Sequence, residues 1–121
     1  MLNLDTHILI HALSGDLSVK ERKVLSDNPW SISAIVLWEV SKLAQLGRIE
    51  VDIEDVEFNR SLARIHTWPL TFEICRSISK LDFTSDPADE LIAATSVIHK
   101  VPLITRDKKI LKSKTTPIYR L

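Results

Sequence analysis

The sequence predicts an α/β domain built on a mostly parallel central sheet. Short apolar runs alternate with longer segments of helical period, the pattern of strand and helix units joined by crossovers. The chain has 121 residues, a length that suits one domain. Its composition, 45% hydrophobic and 26% charged, is that of a chain with a buried core, away from the regime of disorder.

Residues 2–5 read as a short apolar first strand ended by Asp5. A helix over residues 8–13 follows and stops at Ser14, Gly15 and Asp16. Ser18, with Glu21 three residues on, forms a capping box that opens a second helix, and Asn28 and Pro29 end it. Residues 30–33 form the second strand and lead into a helix over 34–46, with Gly47 as its C-terminal cap. A helix over 55–66 and a third strand over 68–70 come next, after which Thr71 caps a helix through Lys80. Asp86 followed by Pro87 is the cap-then-first-turn signature of a helix over 87–99. Residues 102–105 are the fourth strand, 108–111 a helical turn and 118–121 a final edge strand. No internal repeat, low-complexity segment or linker interrupts the series.

Composition removes several function classes. Two glycines, Gly15 and Gly47, are too few for a Walker loop or a dinucleotide fingerprint, which need several close together so that backbone amides can approach phosphate. The single cysteine, Cys75, excludes a disulfide framework or a multi-cysteine metal site, suits a reducing, cytoplasmic setting, and reads as a small core residue. The scattered Trp and Phe residues read as core as well. The longest stretch without a charge, residues 28–38, is far short of the roughly 20 apolar residues of a membrane span, and the N-terminus lacks the basic region of a secretion signal. His7 and His11 lie four apart without the intervening glutamate of a metalloprotease helix, and no zinc site is expected. Charge is balanced overall, 16 bases against 16 acids, but residues 50–57 are acidic and 106–120 basic. That basic end is either a solvated surface or a phosphate-facing patch.

Four acids stand where acids are expensive. Asp5 and Asp107 follow strands, at the sheet edge where α/β folds bind ligands, although each could simply cap the next helix. Glu39 shares a helical stripe with Val36, Leu43 and Leu46, so its carboxylate faces the core or its rim, with Lys42 as the one in-helix partner. Asp89 is in the first turn of the helix that continues through Leu91-Ile92-Ala93-Ala94-Thr95, where the helix dipole favours it, as it does Asp86 and Glu90. A doubly wound sheet could bring all four together. Carboxylates 4 Å apart repel by about 4 kcal/mol at an effective dielectric near 20, so a hard divalent cation, Mg²⁺ or Mn²⁺, is their natural counterion.

Four blocks in order, Leu4-Asp5-Thr6-His7-Ile8, Ser33-Ala34-Ile35-Val36-Leu37-Trp38-Glu39-Val40 with Leu46-Gly47-Arg48-Ile49, Asp86-Pro87-Ala88-Asp89, and Leu103-Ile104-Thr105-Arg106-Asp107, closely resemble PIN domains of the VapC toxin type. They span almost the whole chain. The resemblance implies a three-layer α/β/α fold and a metal-dependent endoribonuclease of a type II toxin–antitoxin system, silenced by a cognate antitoxin and forming a homodimer. It implies that Asp5, Glu39, Asp89 and Asp107 are the catalytic acids and the Mg²⁺ or Mn²⁺ ligands, with Thr6 and Thr105 as supporting hydroxyls and Asp86 mainly as a helix cap. The metal would activate water and offset phosphate charge, leaving a 3′-hydroxyl and a 5′-phosphate. Lys42, Arg48 and Arg106 are the candidate RNA contacts. His11 stands where many relatives carry Trp, and Glu90 where many carry Arg. A PIN-fold binding protein without cleavage is the alternative. A haloacid-dehalogenase-type phosphatase would need a second Asp where His7 stands.

Overall fold

The computed structural model describes residues 1–121. Four strands, β1 (Leu2–Leu4), β2 (Trp30–Ser33), β3 (His66–Trp68) and β4 (Leu103–Ile104), form one sheet in the order β3-β2-β1-β4. Every pairing is parallel, with Leu2 beside Trp30, Leu4 beside Ile104 and Ser31 beside His66. Seven helices accompany them: α1 (Thr6–Ser14), α2 (Val19–Ser26), α3 (Ala34–Gln45), α4 (Val56–Ala63), α5 (Phe72–Ser77), α6 (Pro87–His99) and α7 (Lys108–Leu111). Parallel strands need crossovers, and helices supply them. The result is the parallel-sheet α/β fold expected from the alternating pattern, in the α/β/α arrangement that the resemblance implies.

This topology places the site. Because β1 and β4 are adjacent and parallel, both chains leave the sheet at the same edge, where α1 starts after Asp5 and α7 after Asp107. Leu4, Ile32, Val36, Ile92 and Ile104 are fully buried around β1, each contributing about 1.5–3 kcal/mol of apolar transfer free energy. Buried Asn3 ties α6 to the sheet, its Nδ2 donating to Ser96 Oγ at 2.9 Å. That bond holds the helix carrying Asp89 against the strand that ends in Asp5.

Several expectations are corrected. The third strand begins at His66 rather than Trp68, since Pro69 has no N–H to donate and Leu70 is exposed. The edge strand at 118–121 reduces to one bridge, Leu103 to Ile118. α3 is capped by Leu46, and Gly47 takes the left-handed conformation one residue later, φ +71°. Cys75 is exposed, because α5 turns Ile74 and Ser77 inward and Cys75 away. Trp38 and Phe72 are also surface residues, 58% and 76% exposed. Asp86 occupies the N-cap position of α6, but its side chain makes no capping hydrogen bond.

Candidate functional site

A cleft of about 440 Å³ opens where these helices start, lined by Asp5, His7, His11, Glu39, Asp86, Asp89, Arg106 and Asp107, without one apolar side chain. All four expected acids are therefore brought to it. Asp86, freed from capping, adds a fifth.

Each acid is oriented by a neighbour that the local structure supplies. Asp5 Oδ1 accepts the Thr6 amide at 2.7 Å, so the capping reading holds, while Oδ2 accepts the Thr105 hydroxyl at 2.6 Å. Glu39 receives the hydroxyl of fully buried Thr6 and makes no ion pair with Lys42. Asp89 Oδ2 accepts the Ser85 hydroxyl at 2.9 Å, a partner the sequence pattern did not single out. Asp107 Oδ1 caps α7 by accepting the amides of Lys109 and Ile110 at 2.8 and 3.1 Å, and its own amide donates to Thr105 Oγ1 at 3.0 Å.

Burial is the leading cause of perturbed acidity. It pushes Asp5 upward against the opposing bonds from Thr105 and Thr6. Glu39 is raised by burial, opposed by the Thr6 bond and reinforced by the charges of Asp5 and Asp86. Asp89 is pushed up to about 6, first by burial and then by the charges of Asp5, Glu39 and Asp107, against the Ser85 bond. Desolvated, mutually repelling carboxylates are the setting in which a cation is most strongly favoured. As the side chains stand, no three of them are closed around one point. The donor set, all carboxylate oxygen, nonetheless fits a hard divalent cation.

The expected RNA contacts divide. Arg106 lines the cleft but is engaged with Glu21, at 2.6 and 2.8 Å. Lys42 and Arg48 are exposed and lie outside the cleft lining. Glu21 is a further acid that sequence reasoning treated only as part of a capping box. It is 3% exposed, and the guanidinium beside it holds its carboxyl down to about 2. Its signal was the buried face of an otherwise polar α2.

Comparison with known proteins gives concordant findings. The PIN domain family model matches residues 3–114. The chain is similar to Ribonuclease VapC22 of Mycobacterium tuberculosis, 31% identical over 83 residues that cover 66% of this chain and 64% of that protein. The chain thus spans just under two thirds of that relative's length. Among solved structures, a toxin–antitoxin complex from Klebsiella pneumoniae superposes over 100% of both chains with a TM-score of 0.71 at 22% identity. VapBC2 from Rickettsia felis, bound to a DNA fragment from its promoter, gives 0.71 at 19% identity over 100% of this chain and 99% of that one. FitAcB from Neisseria gonorrhoeae gives 0.68 at 17%, over 99% and 97%. At these identities the structural likeness speaks for the fold.

Proposed function

This chain belongs to the PIN-domain family, and from that premise we propose that it is a metal-dependent endoribonuclease, the toxin of a type II toxin–antitoxin pair acting in the cytoplasm. The observation that carries the reading is the gathering of Asp5, Glu39, Asp89 and Asp107 in one cleft, where burial and neighbouring charge make Asp89 a weaker acid and the one guanidinium is engaged elsewhere. A relative named as a ribonuclease supports the activity, and fold neighbours solved as toxin–antitoxin complexes support the partner.

When bound, Mg²⁺ or Mn²⁺ supplies a Lewis acid that lowers the pKa of water and offsets charge on a phosphodiester. Asp5, Glu39, Asp89 and Asp107 would hold it. Thr105 and Thr6 orient Asp5 and Glu39, and Ser85 does the same for Asp89. With its carboxyl pushed up to about 6, Asp89 is more than half protonated below that pH, and its proton would be displaced on cation binding there. Asp86 adds negative charge at the rim. Arg106 lines the cleft that an RNA phosphate would enter, and exposed Lys42 and Arg48, outside the cleft lining, are the other candidate phosphate contacts. A single-stranded RNA segment is the substrate that such a polar cleft suits, since its bases can be splayed out and its phosphates reached.

The test is incubation with a panel of RNAs in Mn²⁺ or Mg²⁺ and in EDTA, with the product ends mapped. Metal-dependent cuts bearing 5′-phosphate and 3′-hydroxyl ends are the expected result. Tight Mn²⁺ binding with every RNA left intact would favour a PIN-fold binding protein instead.

A further inference from the structure

Arg106 is the one guanidinium on the acidic cleft, and its charge is directed away from the acids. Its Nε donates to Glu21 Oε2 at 2.8 Å and its Nη2 to Glu21 Oε1 at 2.6 Å, with a longer bond from Nη2 to the Asp16 carbonyl at 3.3 Å. One carboxylate accepts the whole fork, the geometry in which an arginine pair is strongest and most directional. The anchor is the fixed member, its side chain 4% exposed against 44% for Arg106. The capping box fixes it further, because Glu21 Oε1 also accepts the Ser18 amide at 2.8 Å and the Ser18 hydroxyl accepts the Glu21 amide at 3.1 Å. The hydrogen bonds to Glu21 come first in holding the Arg106 guanidinium above its ordinary value, and the charges of Glu21 and Asp16 add to them against burial.

We propose that Glu21 is a positioning residue that holds Arg106 off the acidic centre and so keeps Asp5, Glu39, Asp89 and Asp107 open to a divalent cation. The inference rests on the metal-dependent reading above. Arg106 is one residue from Asp107 and shares a cleft with five carboxylates. Once its anchor is neutralised, the carboxylates of the cleft it lines, together with Asp16, are the acids left to attract it. A guanidinium that swings onto the cleft carboxylates takes up the charge and the lone pairs that a cation requires, and the two compete for one site. α2, which contributes no acid to the cleft, thereby sets how much of the cleft's negative charge is available.

Mn²⁺ titration of the full chain by calorimetry tests this on wild type, Glu21→Gln, Arg106→Gln and the double variant. Glutamine keeps an acceptor for the Ser18 amide, so the start of α2 retains its cap. Glu21→Gln should weaken Mn²⁺ binding by about tenfold, a competition of about 1.4 kcal/mol from the released guanidinium. Arg106→Gln should bind as wild type does, and adding it to Glu21→Gln should restore the affinity. That rescue is an effect a merely structural role for Glu21 does not produce. Should Glu21→Gln fail to melt cooperatively, Glu21→Asp, which shortens the reach of the anchor, should show the same loss and the same rescue. An anchor variant that binds Mn²⁺ as wild type does, or a double variant as weak as the single, overturns the inference alone. A wild type that binds no Mn²⁺ overturns the metal-centre reading and this inference with it.

Discussion

Thr105 Oγ1 donates to Asp5 Oδ2 at 2.6 Å across a hundred residues of sequence. The same oxygen accepts the Asp107 amide at 3.0 Å, so one side chain at the end of β4 orients the acid after β1 and the turn that carries the next acid. The bond favours ionised Asp5 against the burial that pushes it up. Thr105→Val removes the hydroxyl at nearly constant volume and should move the acidic limb of the rate–pH profile upward, and Thr105→Ser should move it back. Profiles of the three proteins on one RNA in Mn²⁺ check this; superimposable limbs would contradict it.

Neutralising Asp5, Asp89 or Asp107 to asparagine should abolish metal-dependent cleavage while circular dichroism still reports a folded chain. Each change removes a ligand charge but keeps the size of the side chain. Cutting at wild-type rate by all three variants would show that the acids are wrongly assigned.

Asp89 also couples stability to pH. Its folded value, about 6, exceeds the ordinary 3.8, so the folded state binds the proton more tightly than the unfolded one. The associated stability is fully present below about pH 3.8 and is lost as pH rises through about 6. With allowance for solvent screening of a half-buried group, the loss is about 1–2 kcal/mol. Metal-free Asp89→Asn should therefore melt above wild type at pH 7 and lose most of that advantage by pH 4. Thermal melts in EDTA across this range measure it, and parallel curves would count against a strained Asp89.

Saturating metal should relieve the same repulsion. A ligand at 100 times its dissociation constant adds about 2.7 kcal/mol to the native state, on the order of 8 °C in Tm for a domain of this size. Glu39→Gln should blunt the rise, since it removes one charge and keeps an acceptor for Thr6. A Tm indifferent to millimolar Mn²⁺ would argue that the isolated chain holds no ion.

The capping signals were legible because they are local. Ser18 with Glu21, Thr71, and Asp107 before Lys108 each place an oxygen three or fewer residues from the amide it accepts, and each forms as expected. The acids of the cleft were legible as anomalies, carboxylates at strand ends or on an apolar helix. Their partners were not. Thr6 reaches Glu39 and Arg106 reaches Glu21 only through the sheet order β3-β2-β1-β4, which no window of sequence contains. Asp86 misled for the opposite reason. The Asp-Pro pair does mark the start of α6, but the side chain is free of the cap and faces the cleft. Cys75 and Phe72 misled because a six-residue helix shows too few turns for its buried face to be read from periodicity.

The last prediction concerns the antitoxin. A second groove, of about 250 Å³, has an apolar floor from Leu9, Ile10 and Leu13 of α1, Val40 of α3 and Phe58 of α4, and an acidic rim from Glu50, Asp52 and Asp55. An apolar segment with basic flanks suits such a surface, and α1 leads from this groove back to Asp5, so an arginine on the same segment could enter the acid cleft. α1 and α3 line both the groove and the cleft, so a segment seated in the groove would lie beside the acids. We predict that the chain forms a homodimer in solution and that a cognate antitoxin binds it and suppresses cleavage in proportion to occupancy. Leu13→Glu should weaken that binding at least tenfold, more than 1.4 kcal/mol, without altering Mn²⁺ affinity. Light scattering and a cleavage assay titrated with antitoxin measure the two halves separately. A strict monomer would exclude the dimer, and full cleavage in the saturated complex would exclude inhibition through this surface.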